Sequence, residues 1–213
     1  MKKYDEQYYT EITKDEERRN FSQAIAKYFK NFKVKKALDI GCGKGFLVKA
    51  LRVIGIDAEG IDVSEYAIKN AVTEYARQGN VTNLPYENNA FDLVLCIEIL
   101  EHLEKSELDE CIAETKRVLK PPGIVFITTP APNSAYAKQD PTHKSIYDKE
   151  DWIRKFEGSG FTFNLGDSQG LKDTIVEHWA STNPSTIIGK FLSKFSKIRK
   201  IAIMKGGNER EEV

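Results

Sequence analysis

Three features of this sequence predict an α/β fold, a doubly wound and mostly parallel sheet. Short apolar runs ending in glycine or an acid recur along the chain, as at 37–41 (ALDIG) and 58–62 (AEGID). Between them lie segments whose apolar residues return at helical spacing. Proline and glycine punctuate the joins, as at Pro121-Pro122-Gly123. Strands alternating with helices build a parallel sheet with helices on both faces, and right-handed crossovers are the rule.

The elements follow in order. Residues 1–36 read as a tyrosine-rich helical cap, with Phe21, Ala24, Ile25, Tyr28 and Phe29 on one face. The run 37–41 reads as a buried strand, and Phe46, Leu47, Ala50 and Leu51 give the next stretch a helical stripe. A second strand at 58–62 leads to a helix marked by Tyr66, Ala67 and Ala71, for which Ser64 is the expected N-cap. A weak third strand is expected within 73–78 and a strong buried one at 91–96 (FDLVLC). Leu108, Cys111, Ile112, Thr115 and Leu119 form a stripe that Pro121-Pro122-Gly123 is expected to stop. A strand at 124–128, a helix at 148–157 with Trp152, Ile153 and Phe156 inward, and a strand opening at 160–163 come next. The run 201–204 (IAIM) reads as the last strand, antiparallel, beside the strand at Phe161, which makes seven in all. The 213 residues are expected to form one domain: cap 1–36, ligand-binding core 37–166, helical insertion 167–198 and final strand 199–206.

Composition excludes some classes. Lysine plus arginine balance aspartate plus glutamate at 32 each, so the whole molecule has no long-range pull on nucleic acid or anionic lipid. The three cysteines, Cys42, Cys96 and Cys111, make no disulfide or zinc pattern and fit reduced thiols in a cytoplasmic protein. No secretory signal is visible, and no apolar run nears the roughly 20 residues that cross a bilayer. One local exception to neutrality is the stretch 187–200. Its apolar residues share a helical face, and Lys190, Lys194, Lys197, Arg199 and Lys200 stand without an acid. It reads either as peripheral contact with a membrane or polyanion, or as a helix packed on the sheet with a solvated lysine face.

The chemistry gathers at the ends of the strands, where doubly wound folds bind ligands. The first strand runs into Asp39-Ile40-Gly41-Cys42-Gly43-Lys44-Gly45-Phe46, spaced G-x-G-x-G. Phe46 stands where dinucleotide enzymes have a third glycine that keeps a helix N-terminus open to pyrophosphate. An amino-acid-and-nucleoside ligand needs no such opening. Asp62 closes the second strand, where a carboxylate accepts both hydroxyls of a ribose. The plainer reading is a helix cap, a task for which Ser64 is better suited.

The segments ALDIGCGKGFLVKAL, EGIDVSEYAI, GNVTNLPYENNAFDLVLCIEILEHL and RVLKPPGIVFITTP follow in an order and spacing that resemble class I S-adenosylmethionine-dependent methyltransferases. Within that class they resemble the methyltransferase type 11 and ubiquinone-biosynthesis O-methyltransferase group. The resemblance implies a Rossmann-like methyltransferase fold and S-adenosyl-L-methionine as cofactor, with S-adenosyl-L-homocysteine as product. It implies that Asp39, Gly41, Cys42, Gly43 and Gly45 form the loop under the methionine part, and that Asp62 and Val63 meet the ribose side. Asn80 and Val81 would meet the adenine edge, and the backbone of Cys96 the amino group. Two departures stand out. Asn80 replaces the usual aspartate, though its amide oxygen still accepts from an adenine amino group. Pro122-Gly123 replaces the usual Gly-Gly, a variation in a turn.

Past the fourth strand comes Glu98-Ile99-Leu100-Glu101-His102, and after the fifth Asp140-Pro141-Thr142-His143. Three readings stand open. The acids and imidazoles are structural; or His102 or His143 is a general base, its ordinary pKa near neutrality; or Glu98, Glu101, His102 and His143 hold a divalent ion. The last follows a resemblance to ubiquinone-pathway O-methyltransferases and to small-RNA 3′-terminal 2′-O-methyltransferases, and it implies Mg2+ or Mn2+. Tyr4, Tyr8 and Tyr9 are either a lid or surface packing. The loop 140–143 followed by Tyr147 and Trp152 resembles methyltransferases of surface polysaccharides and secondary metabolism.

The predicted function is methyl transfer from S-adenosylmethionine to a hydroxyl of a small-molecule, glycan or quinone-precursor acceptor. A metal-assisted RNA 2′-O-methyltransferase is the second reading, which the neutral charge disfavours. A non-catalytic module of the same fold is the third, which the intact glycine loop and Asp62 disfavour.

Overall fold

The structure is a computed structural model that describes residues 4–11, 15–130, 132, 134, 137–138, 140–164 and 201–206. Helix α1 (Glu6–Glu11) and helix α2 (Asp15–Phe29) precede strand β1 (Lys36–Ile40). Then come α3 (Phe46–Val53), β2 (Asp57–Asp62), α4 (Glu65–Lys69), β3 (Ala76–Gln78) and β4 (Phe91–Ile97). A 3-10 turn (Leu100–His102), α5 (Lys105–Val118), β5 (Leu119–Thr128), α6 (Lys149–Gly158), β6 (Phe161–Asn164) and β7 (Ile201–Gly206) follow.

The strands lie in the order β3-β2-β1-β4-β5-β7-β6. The first five pair in parallel, and β7 pairs antiparallel with both β5 and β6. Alternate residues of each strand face opposite sides. In β4, Val94 and Cys96 join a core with Leu108, Cys111 and Ile112 of α5 and Trp152 and Phe156 of α6. Leu93, Leu95 and Ile97 face the other way, toward Ile25 and Phe29 of α2 and Leu47 and Leu51 of α3. Burial on both faces is why these strands read as continuous apolar runs.

Two local expectations change. Pro121-Pro122-Gly123 does not stop α5. The helix ends at Val118, and the chain passes directly into β5, which contains all three residues. The pairing of β5 with β4 jumps from Phe91↔Leu119 to Leu93↔Ile124, so a bulge absorbs prolines that have no N–H to donate to a ladder. Helix α4 also ends early, at Lys69, leaving Ala71 outside. The helical insertion 167–198 and the basic face of 187–200 lie outside the described residues. Among those described, no helix is long and apolar enough to cross a membrane.

Strand order runs from β1 outward to β2 and β3 on one side and to β4 on the other. The carboxyl ends of β1 and β4 therefore splay into a crevice at the reversal point.

Candidate functional site

A cavity of about 720 Å³ opens at that crevice, within the usual range for small-molecule sites. Its floor is the loop after β1. Gly41 and Gly43 have φ of 73° and 52°, values at which any Cβ is strained. At Gly41 a Cβ would also fall 2.5 Å from the Ile99 side chain. The N–H groups of Gly41 and Cys42 both donate to the Ile61 carbonyl, at 2.8 and 3.1 Å, which ties the loop to the end of β2.

Asp62 completes the tie. Its Oδ2 accepts from Gly43 N at 2.7 Å and its Oδ1 from Ser64 N at 2.8 Å. Each oxygen keeps a lone pair, and the carboxylate remains on the cavity wall. Burial raises its pKa, against the pull of those two N–H groups. Ser64 is the cap of α4 that the sequence predicts, its Oγ accepting from Ala67 N at 3.1 Å. Asp39 is buried beneath the loop. Burial first, then the Asp62 charge, pushes its pKa up to about 8, with Arg18 opposing. Arg18, from α2, lines the same cavity and also opposes the upward shifts of Glu98 and Glu101.

The roof is aromatic. Tyr4, Tyr8 and Tyr9 all line the cavity. Ser64 Oγ donates to the Tyr4 carbonyl at 2.7 Å, Tyr8 donates to Asp140 Oδ2 at 3.2 Å, and the Tyr9 ring stacks on Tyr66. Burial raises the phenol pKa of both Tyr4 and Tyr9. The three tyrosines thus line the pocket, each with a partner beyond their own segment.

At the end of β4 the chain turns sharply. Glu98 sits at φ 52°, a conformation that non-glycine residues adopt mainly at special sites. His102 follows on the cavity wall, 6% exposed, with the rings of Tyr4 and Tyr8 edge-on to it. Its Nδ1 lies 2.8 Å from Thr142 Oγ1. The loop carrying Thr142 is fastened to the same turn, since Lys144 N and Ser145 N both donate to the Glu101 carbonyl at 2.7 and 2.9 Å. The His102 and His143 ring centroids are 4.8 Å apart.

Three of the four ionisable groups named from the sequence come together here. Among the described residues Glu101, His102 and His143 offer ligand atoms within 4.8 Å of one another, and Glu98 is not part of that group. Glu98 is close enough to repel Glu101, yet it lies outside that group. Here the helical turn begins at Leu100, after the reversal at Glu98. Both carboxylate oxygens of Glu101 are buried without a hydrogen-bond partner. Burial, and then repulsion by Glu98, hold its pKa well above the usual range. His143 Nδ1 lies 3.0 Å from the Ala137 carbonyl, which only accepts, so that nitrogen carries hydrogen, and Nε2 lies 3.8 Å from Asp140 Oδ2.

Of the residues expected in the cofactor site, Asp39, Gly41, Cys42, Gly43, Asp62, Val63, Asn80 and Val81 line the cavity. Gly45 does not. It is buried behind the loop at φ 76°, as the N-cap of α3. Cys96 is not among the lining residues either; its side chain faces the core, and the part expected of it was its backbone's. The wall there is Ile97, Glu98 and Ile99. His143 stands behind His102 rather than on the wall. Sequence reasoning missed Arg18, whose helix carries no motif. No motif marks Asp140 and Thr142 either, although their loop holds the His102 ring.

A family model described as a methyltransferase domain matches residues 38–127. Over those residues, with the sheet order and the glycine-loop pocket, the chain is similar to the class I methyltransferases. It is similar to the ubiquinone biosynthesis O-methyltransferase of Haemophilus ducreyi, 36% identical over 110 residues, covering 45% of each chain. The corresponding enzyme of Methylococcus capsulatus is 37% identical over 105 residues, 45% of this chain and 43% of that one. The matches thus span less than half the length of these curated relatives. Among solved structures, a SAM-dependent methyltransferase from Archaeoglobus fulgidus shares the fold, with a TM-score of 0.65 and 21% identity over 94% of this chain and 97% of that one.

Proposed function

We propose that this chain methylates a hydroxyl group of a small-molecule, glycan or quinone-precursor acceptor, using S-adenosylmethionine. The observation that carries the reading is the placement of His102 on the wall of the cavity floored by Gly41–Gly43 and Asp62. One cavity thus joins a cradle for a nucleoside and amino acid to a base. The donor fits what is there: Asp62 offers free lone pairs toward ribose hydroxyls, Arg18 a cation toward a carboxylate, and Val63, 55% exposed, an apolar face.

When bound, S-adenosylmethionine supplies a methyl group on a positively charged sulfur, an already activated donor. The protein's part is then alignment, exclusion of water and removal of a proton. The lid tyrosines cover the site. His102 would take the proton of the acceptor's hydroxyl as that oxygen accepts the methyl group. The relatives named as ubiquinone O-methyltransferases support the oxygen as nucleophile.

The test has two stages. Calorimetry should show S-adenosylhomocysteine binding that Asp62→Ala abolishes. A labelled-methyl turnover screen across phenols, sugars and short RNAs should then find an acceptor among the first two. Absence of binding at millimolar ligand sinks the reading, and transfer to RNA alone moves it to the alternative.

One observation favours a metal-assisted variant of the same reaction. The orphaned Glu101 carboxylate beside two imidazoles is a donor set that fits a divalent cation. An ion there would lower the pKa of an acceptor hydroxyl. Metal analysis after soaking in magnesium or manganese decides it, with His143→Ala as control. Activity that survives chelation removes the ion from the reaction.

A further inference from the structure

The hydrogen bonds behind His102 run in one direction. Asp140 accepts at every contact: at Oδ1 from Thr142 N at 2.8 Å and from the Thr142 hydroxyl at 2.6 Å, and at Oδ2 from Tyr8 at 3.2 Å. A threonine hydroxyl has one proton, and here it goes to Asp140. The 2.8 Å contact of Thr142 Oγ1 with His102 Nδ1 therefore requires the hydrogen on Nδ1. The lone pair of the neutral ring is left on Nε2. An unconstrained imidazole in water prefers the opposite tautomer, so the arrangement has to be imposed.

The mount is rigid enough to impose it. Asp140 is 8% exposed. The loop that carries Thr142 is fixed to the His102 turn by the two bonds to the Glu101 carbonyl and by Ser145 Oγ donating to the Leu103 carbonyl at 2.7 Å. The Tyr8 bond to Asp140 links the lid to the same chain of contacts.

We propose that Thr142 is a positioning residue for the methyl transfer. Backed by Asp140, it holds His102 in the tautomer whose Nε2 takes the acceptor's proton. The proposal rests on the reading of His102 as the base. It adds that the loop after β5, some 40 residues away in sequence, sets that base's chemistry.

The experiment compares the full chain with its Thr142→Val and Thr142→Ser variants, all chelator-treated and saturated with S-adenosylhomocysteine for spectroscopy. Nitrogen NMR on histidine-labelled protein reads which His102 ring nitrogen bears hydrogen. The wild type should show it on Nδ1, the valine variant should lose that preference, and the serine variant should keep it. In turnover with the acceptor found by screening, Thr142→Val should lower kcat by about 100-fold, the low end of what a positioned base contributes, with both KM values within about twofold. Thr142→Ser should recover kcat to within about threefold. A wild-type ring with hydrogen on Nε2, a spectrum unmoved by valine, or an unchanged kcat each overturns the proposal. A wild type that transfers methyl to nothing sinks the proposed function instead, and the ring spectra still decide whether Thr142 sets the tautomer.

Discussion

Replacing Asp62 by asparagine separates two jobs that one side chain does. The carboxylate clamps the glycine loop to the start of α4 through Gly43 N and Ser64 N, at 2.7 and 2.8 Å. It also presents lone pairs to the cavity. An asparagine has the same shape but only one oxygen, and its NH2 must face one of the two backbone donors. One N–H then loses its acceptor and the other keeps only a neutral one, a loss of about 1.5–3 kcal/mol. In a domain of this size each kcal/mol moves Tm by about 2–4 °C, so Tm should fall by about 3–12 °C. The ribose loses a charged acceptor of similar worth, so S-adenosylhomocysteine should bind about 10- to 100-fold more weakly. Thermal unfolding without ligand reads the first effect and calorimetry reads the second. An unaltered Tm would refute the clamp. Unaltered affinity would remove Asp62 from the cofactor site.

Two further perturbations address the floor and the lid. Asp39, with its pKa pushed up to about 8, binds a proton in the folded protein that the unfolded chain releases near the ordinary value of 3.8. Its contribution to stability is full below pH 4 and is lost as pH climbs toward 8. Asp39→Asn should therefore flatten the decline of urea-unfolding free energy between pH 5 and 8 (about three pH units), and equal slopes in both proteins would count against a protonated Asp39. Ser64→Ala removes both the cap on Ala67 N and the bond to the Tyr4 carbonyl. Loss of the cap alone should cost about 1 kcal/mol and about 2–4 °C in Tm. Faster proteolysis near Tyr4 should accompany it, and a lid as resistant as before would show that Ser64 does not hold it down.

Much of the fold was legible because parallel strands covered on both faces must be apolar throughout. Residues 37–41 and 91–96 announced themselves in this way, and Ser64 announced the helix after β2. The proline pair was misread because a helix stop and a strand bulge share the same residues. Only the register of β5 against β4 distinguishes the two. The cavity floor was legible too, since the left-handed turns at Gly41 and Gly43 are needs of the local backbone.

The rest of the site was not local. By itself the sequence determined the alternation of strands and helices, the glycine turn and the acid after β2, because propensity, burial period and backbone sterics act over a few residues. Tertiary structure alone decided that Arg18 enters the pocket, that Tyr8 reaches Asp140 across 132 positions, and that Thr142 stands behind His102 while Glu98, beside Glu101, stays outside its group with the two histidines. Those pairings depend on how loops from separate strand ends converge over one sheet, and no spacing along the chain encodes that convergence.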